Sequence, residues 1–330
     1  MPLTKKLTST IAVIAMGVTA LSACSTGKEN TTTARGERAH SFTVKNCGKD
    51  QVFEKTPQKV LSMGVTGLAF LVAAGAEEKI AGRANELGEK PAKWIGDKAK
   101  DVKILADQNL SIESLVSFKP DLVYGGGFDS NGASPDAVLA KKIPAVVDSP
   151  ECHYYYPDQR EDESFQAILK EISMLGQLLG TAEKAEKTVE QLRAKIKEVE
   201  SEKPGRGRKV AYAYYFGDDD GLFSYGTKGV MGEISKTLNL TSAIDPNYHP
   251  HQGPIAPEAF VKSDPDLIVV LVGMGGATKE NSLARLEKIP GYQNMRAVKN
   301  KQIFFADSAM AYASPSALYG AFDLAKQIQK

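Results

Sequence analysis

The chain has 330 residues, with 41 basic against 40 acidic side chains and a formal charge of +1. That even balance gives no sign of the basic face a nucleic-acid partner would need, and none is expected. The length exceeds what one typical core organises and points to two lobes.

Residues 1–23 read as a signal peptide: Lys5 and Lys6 supply a positive start, and residues 11–21 are an apolar run too short to span a bilayer comfortably. Leu21-Ser22-Ala23-Cys24 resembles a lipobox, with Cys24 acylated as the mature N-terminus; ordinary cleavage after Ala23 is the alternative. Removing these residues deletes two lysines and no acid, which takes the charge to −1. Residues 24–41 are polar and aperiodic and read as a flexible tether. Outside the cytoplasm Cys47 and Cys152 are an even pair in an oxidising compartment. A bridge would close a loop of about a hundred residues, worth roughly 4–5 kcal/mol by chain entropy; two buried thiols are the alternative.

A first lobe is expected over residues 42–160. Residues 42–44 and 51–53 form a hairpin around Cys47-Gly48, and strands follow at 60–63, 79–82, 121–124 and 145–147. Helices are predicted at 68–74, 111–118 and 134–141. Residues 161–205 are helical, with a helix at 163–179 broken at Gly180 from one at 181–203. In the latter, Ala182, Ala185, Val189, Leu192, Ile196 and Val199 make one apolar stripe, Thr181 is a good N-cap, and Pro204-Gly205 ends it. A second lobe over residues 206–330 repeats the alternation, with strands at 210–216, 267–272 and 303–306 and helices at 231–238, 258–261, 284–288 and 316–328. Strand and helix alternate throughout, so the fold class is α/β with mostly parallel sheets.

The halves repeat each other. Ile112-Glu113-Ser114-Leu115-Val116 followed by Lys119-Pro120-Asp121-Leu122-Val123 matches Pro257-Glu258-Ala259-Phe260-Val261 followed by Asp264-Pro265-Asp266-Leu267-Ile268. The helix at 181–203 then reads as a strut between two similar lobes.

Over almost the whole mature chain, PQKVLSMGVTGLAFLVAAGAEEKIAGR, SIESLVSFKPDLVYGG, APEAFVKSDPDLIVV and the intervening long helix resemble the periplasmic-binding proteins of iron-siderophore, haem and cobalamin ABC importers. The opening NCGKDQVFEKTPQKV, with the later Cys152, is similar to a Gram-positive lipoprotein branch of that family. The resemblance implies two Rossmann-like lobes joined by one rigid helix, a ligand cleft between them, and a lipid-anchored monomer outside the membrane. It further implies that Glu113 and Glu258 sit on the lobe tops and pair with arginines of a dimeric permease. The cargo it implies is a small-molecule chelate, a ferric siderophore first, with no intrinsic cofactor.

Loops at the strand ends are rich in tyrosine, which offers stacking area and a hydroxyl donor, while arginine offers a permanent charge. Expected ligand contacts are therefore Arg83, Tyr124, Tyr154, Tyr214, Tyr215, Tyr248, Arg285 and Tyr312. Of Tyr214 and Tyr215, strand alternation lets only one face the cleft. Haem is the rival cargo, needing one His or Tyr ligand and an apolar cleft. His153 and the His249-Pro250-His251 spacing invite a metal reading, but a proline-rich turn without carboxylates accounts for the latter, and no metal site is expected. No G-x-S-x-G or H-E-x-x-H motif occurs, and Asp218-Asp219-Asp220-Gly221 lacks the spaced ligands of a calcium loop, so no enzyme is expected.

Overall fold

The computed structural model describes residues 41–129, 132–159, 162–217, 221–245, 247–249 and 251–329. The signal segment, Cys24 and the tether up to residue 40 lie outside the described residues, as do Asp218, Asp219, Asp220, Pro246 and Pro250.

A hairpin, β1 (Phe42–Asn46) and β2 (Lys49–Phe53), opens the first lobe. Then come β3 (Val60–Met63), α1 (Gly64–Ala73), β4 (Ile80–Ala84), β5 (Ile104–Ala106), α2 (Ile112–Phe118), β6 (Leu122–Gly125), α3 (Pro135–Ala140) and β7 (Ala145–Val146). Strands β3 to β7 form one parallel sheet in the order β5-β4-β3-β6-β7. The hairpin is fastened to β7 by side chains that stand in for a strand. The Asn46 amide donates to Val147 O at 2.6 Å and accepts from Val147 N at 2.9 Å, and Gln51 donates to Ala145 O at 2.6 Å. Beside this clamp, Cys47 is disulfide-bonded to Cys152 at the start of the one-turn helix α4 (Cys152–Tyr155).

Helices α5 (Phe165–Leu178) and α6 (Ala182–Glu202) turn at Gly180, whose φ of +69° suits glycine, and pack so closely that a side chain at Gly176 would strike Ala185. The 21 residues of α6 make a rod of about 31 Å without an internal break. Thr181 stands at its N-cap position, but its hydroxyl donates to Ala74 O at 2.7 Å and so ties the rod to α1 instead of capping it.

The second lobe contains β8 (Lys209–Ala213), β9 (Phe223–Tyr225), α7 (Gly229–Thr237), β10 (Thr241–Ser242), β11 (Gln252–Pro254) and α8 (Pro257–Ser263). It continues through β12 (Leu267–Val272), α9 (Lys279–Glu287), α10 (Arg296–Lys299), β13 (Ile303–Asp307) and α11 (Pro315–Ile328). Four of these strands form a second parallel sheet, β10-β8-β12-β13, and β9 pairs antiparallel with β11.

The sequence repeat has a structural cause. In the first lobe the Asp121 carboxylate accepts the backbone N–H groups of Gln58 and Lys59 at 2.8 and 2.7 Å. In the second, Asp266 accepts from Lys209 N at 2.8 Å. Each Pro-Asp therefore anchors the chain where it enters an inner strand of its own sheet, β3 or β8, and each follows a helix closed by a left-handed residue, Lys119 or Asp264.

Alternation along the strands sorts the core into layers. Val60, Leu122, Tyr124, Val210, Tyr212, Leu267 and Val269 face one continuous layer that includes α1, α5, α6, α7 and α11 and runs through both lobes. Leu61, Met63 and Val123 face a separate core with the disulfide, and Ala211, Ile268 and Val270 face a third under α8. The strut is thus not free-standing, because α1 of the first lobe packs directly on α11 of the second.

Candidate functional site

A cavity of about 790 Å³ lies between the lobes, and its walls are the segments that follow the carboxyl ends of parallel strands. After β7 come Pro150, Glu151, His153 and Tyr154; after β8, Phe216; after β12, Met274; after β13, Tyr312. Tyr225, Lys228, His251 and Gln252 complete the second-lobe wall, and Glu163 enters from the segment before α5. A side chain at Gly275 would overlap the Phe216 carbonyl, so glycine there permits the loop after β12 to close against Phe216.

Aromatic rings build this wall. Tyr214, buried, holds Gln252 in place by donating to its Oε1 at 2.7 Å, and its ring lies 5.0 Å from Tyr225 and 5.2 Å from Phe216. Tyr312 donates to Glu89 Oε1 of the first lobe at 2.7 Å. Burial and the Glu89 carboxylate beside it push the Tyr312 phenol up, and burial raises the Glu89 carboxyl. Nearby, Trp94 stacks on Tyr319 at 4.4 Å and donates to Ser316 Oγ at 3.0 Å, a second cross-lobe contact.

Glu151 has its pKa pushed up to about 7 by burial and then by Glu163. Behind it lies Asp148, whose Oδ2 accepts from Thr66 at 2.5 Å while Oδ1 is buried without a partner. Burial and the neighbouring Glu151 hold the Asp148 carboxyl well above its usual range. Glu171, which accepts from Tyr124 and Ser149, lies in the same layer. Glu163 faces His251 Nδ1 at 3.8 Å and accepts weakly from Val230 N in the first turn of α7 at 3.3 Å.

Of the residues expected to meet a ligand, the structure brings Tyr154 and Tyr312 into the cavity wall, from opposite lobes. Tyr214 stands one layer behind them, and Tyr248 beside β11 donates to Gly253 O. The others are elsewhere. Arg83 on β4 is 6% exposed, because its guanidinium donates to Glu86 at 2.9 Å and to Ala99 O at 3.0 Å; it contributes to the first-lobe interior and not to the cavity wall. Tyr124 is fully buried and donates to Glu171 at 2.9 Å. Tyr215 points to the opposite side of its sheet from Tyr214, under the Arg285 guanidinium at 3.7 Å, and Arg285 also donates to Gly217 O. His153 and His251 line the cavity, whereas His249 rests against Tyr248. Among the described residues no group of three His, Cys, Asp or Glu is placed to hold a metal ion.

Glu113 and Glu258 are both exposed in the first turn of their helices, α2 and α8, and neither carboxylate has a side-chain partner among the described residues. Sequence reasoning missed Glu151, Glu163, Lys228 and Tyr225. The adjacency of Glu151 to the Cys152–Tyr156 loop was the available signal for the first of these.

Residues 60–310 match the family described as periplasmic binding protein. An uncharacterized ABC transporter substrate-binding lipoprotein, YvrC of Bacillus subtilis, is 24% identical over 284 residues, covering 85% of this chain and 82% of that protein. The Fe(3+)-citrate-binding protein YfmC of the same organism is 23% identical over 314 residues, covering 92% and 90%. Among solved structures, an ABC-type Fe3+-hydroxamate transport system protein from Saccharomonospora viridis superposes with a TM-score of 0.70 at 20% identity, covering 87% of this chain and 98% of that one. Two parallel sheets joined through a long helix, a cavity at their strand ends and a match across three quarters of the length lead to one conclusion: the chain belongs to the periplasmic binding protein family.

Proposed function

We propose that this chain is the extracytoplasmic, lipid-anchored solute-binding component of an ABC importer, and that it captures a ferric chelate between its lobes and delivers it to a permease. The observation that carries this reading is the cavity itself: two lobes contribute tyrosines to one space, Tyr154 from the first and Tyr225 and Tyr312 from the second. Rings of this kind offer stacking area to a bulky ligand, and Tyr154, without a hydrogen-bond partner for its hydroxyl among the described residues, can also donate to it. The name of one relative, a substrate-binding lipoprotein, supports the importer role, and that of another, a ferric-citrate-binding protein, supports a ferric chelate as cargo. Lipid attachment rests on Cys24, and docking to a permease on Glu113 and Glu258, one on each lobe.

Haem is a second reading with an observation of its own: His153 and Tyr154 from one lobe and His251 from the other converge on the cavity, and any of them suits an axial position. Visible absorption of the protein purified from its iron-limited native host separates the two. A broad charge-transfer band is expected for a ferric chelate and a Soret band for haem. Fluorescence titration with ferric hydroxamate, catecholate, citrate and haem follows, and failure to bind any of these would overturn the importer-cargo reading.

A further inference from the structure

We infer that the cavity selects its cargo by charge: it takes a chelate with no net negative charge, and it directs Glu151 at a protonated amine or similar N–H donor on that chelate. The inference rests on the chelate reading and goes beyond it by naming the chelate's electrostatic class. Three observations support it.

Among the described residues no arginine lines the cavity. Arg83 is committed to Glu86 and Ala99 O inside the first lobe, and Arg285 to Tyr215 and Gly217 O on the far side of the second sheet. Lys228 is the one lysine or arginine in the described cavity wall, against the two carboxylates Glu151 and Glu163.

The two carboxylates differ in how they are balanced. Glu163 has His251 at 3.8 Å and the start of α7 beside it. Glu151 has no hydrogen-bond or ion-pair partner among the described residues, and near it stands another acid, Asp148, itself 1% exposed with Oδ1 unpartnered. Both acids crowd Gly126, where an added side chain would strike Glu151 and come within 3.1 Å of Asp148 Oδ2.

A half-buried carboxylate without a cation has lost solvation with nothing in return, and a ligand that supplies the cation offsets that loss. The same wall repels an anionic chelate, because like charges placed together out of water oppose binding. Lys228 sits on the other lobe, so a cargo can present a polar face to it while its cationic arm meets Glu151.

The test is a charge series on one chelate. A ferric linear trihydroxamate with a terminal ammonium is compared with its N-acetylated neutral form and its N-succinylated anionic form, with ferric citrate and haem as further anionic probes. Intrinsic fluorescence quenching reads affinity. The ammonium form should bind most tightly, with a loss of about ten- to hundredfold on acetylation and a further loss on succinylation. Glu151→Gln should erase most of the ammonium-versus-acetyl difference while leaving the acetylated form bound; Glu163→Gln should change it less. Equal affinity along the series, tighter binding of the succinylated form, or binding of citrate alone would overturn the charge rule and keep the chelate reading, whereas binding of haem alone would overturn the charge rule and favour the haem reading. Binding of none would overturn both.

Discussion

The hydroxyl of Tyr312 in the second lobe donates to the carboxylate of Glu89 in the first at 2.7 Å, at the edge of the cavity that Tyr312 also lines. One residue therefore both meets the cargo space and joins the lobes. Tyr312→Phe keeps the ring and leaves a half-buried carboxylate without its donor, which should cost about 1 kcal/mol of stability. Urea unfolding of the variant checks this; an unchanged midpoint would show that the contact contributes nothing.

Glu151 gives the protein a pH dependence. Its carboxyl is raised from 4.5 to about 7, so the folded chain holds a proton that the unfolded chain has released. Stability should therefore fall as pH rises through that interval and level off above it. Glu151→Gln should reduce the fall and be the more stable protein at pH 8. Thermal unfolding measured from pH 4 to pH 8 decides it, and a parallel profile in the variant would place the titration elsewhere, with Asp148 the first candidate.

Non-reduced peptide mapping should recover the Cys47–Cys152 linkage, and replacing both by serine should cost about 2–5 kcal/mol. Labelling of both thiols in native protein would contradict the bridge.

The rod α6 contains neither proline nor glycine, and sharp kinks need such a cause. Scattering curves with and without bound chelate should be nearly superimposable, reflecting a small rotation of the lobes. A large compaction would mean that the rod bends.

Glu113→Ala combined with Glu258→Ala should leave chelate affinity intact and abolish uptake in cells, because both side chains are exposed and neither is among the cavity-lining residues. Lost affinity or normal uptake would sink the docking role.

Much of the fold was legible because parallel strands are apolar throughout: Leu267–Val272 reads as a strand residue for residue. The short edge strands Ile104–Ala106 and Thr241–Ser242 were not, since two or three residues carry no period. In the site, Tyr154 and Tyr312 were visible as loop aromatics. Arg83 was read as a ligand for its charge, yet its role is set by Glu86 at i+3, a spacing that was there to be read. Glu151 and Glu163 looked like any solvated acids, and only the fold shows that Glu151 stands near Asp148 with no ion-pair partner among the described residues.

The internal repeat suggests two halves that once stood alone, each with its own Pro-Asp anchor. The layer shared by α1, α6 and α11 removes that independence, since either half in isolation would turn an apolar face to water. The described residues, from 41 to 329, are accordingly one compact unit. In a calorimeter the two sheets should melt in one transition, with calorimetric and van't Hoff enthalpies in agreement. Cargo bound at the cavity would then protect the whole body, far strands included, from unfolding.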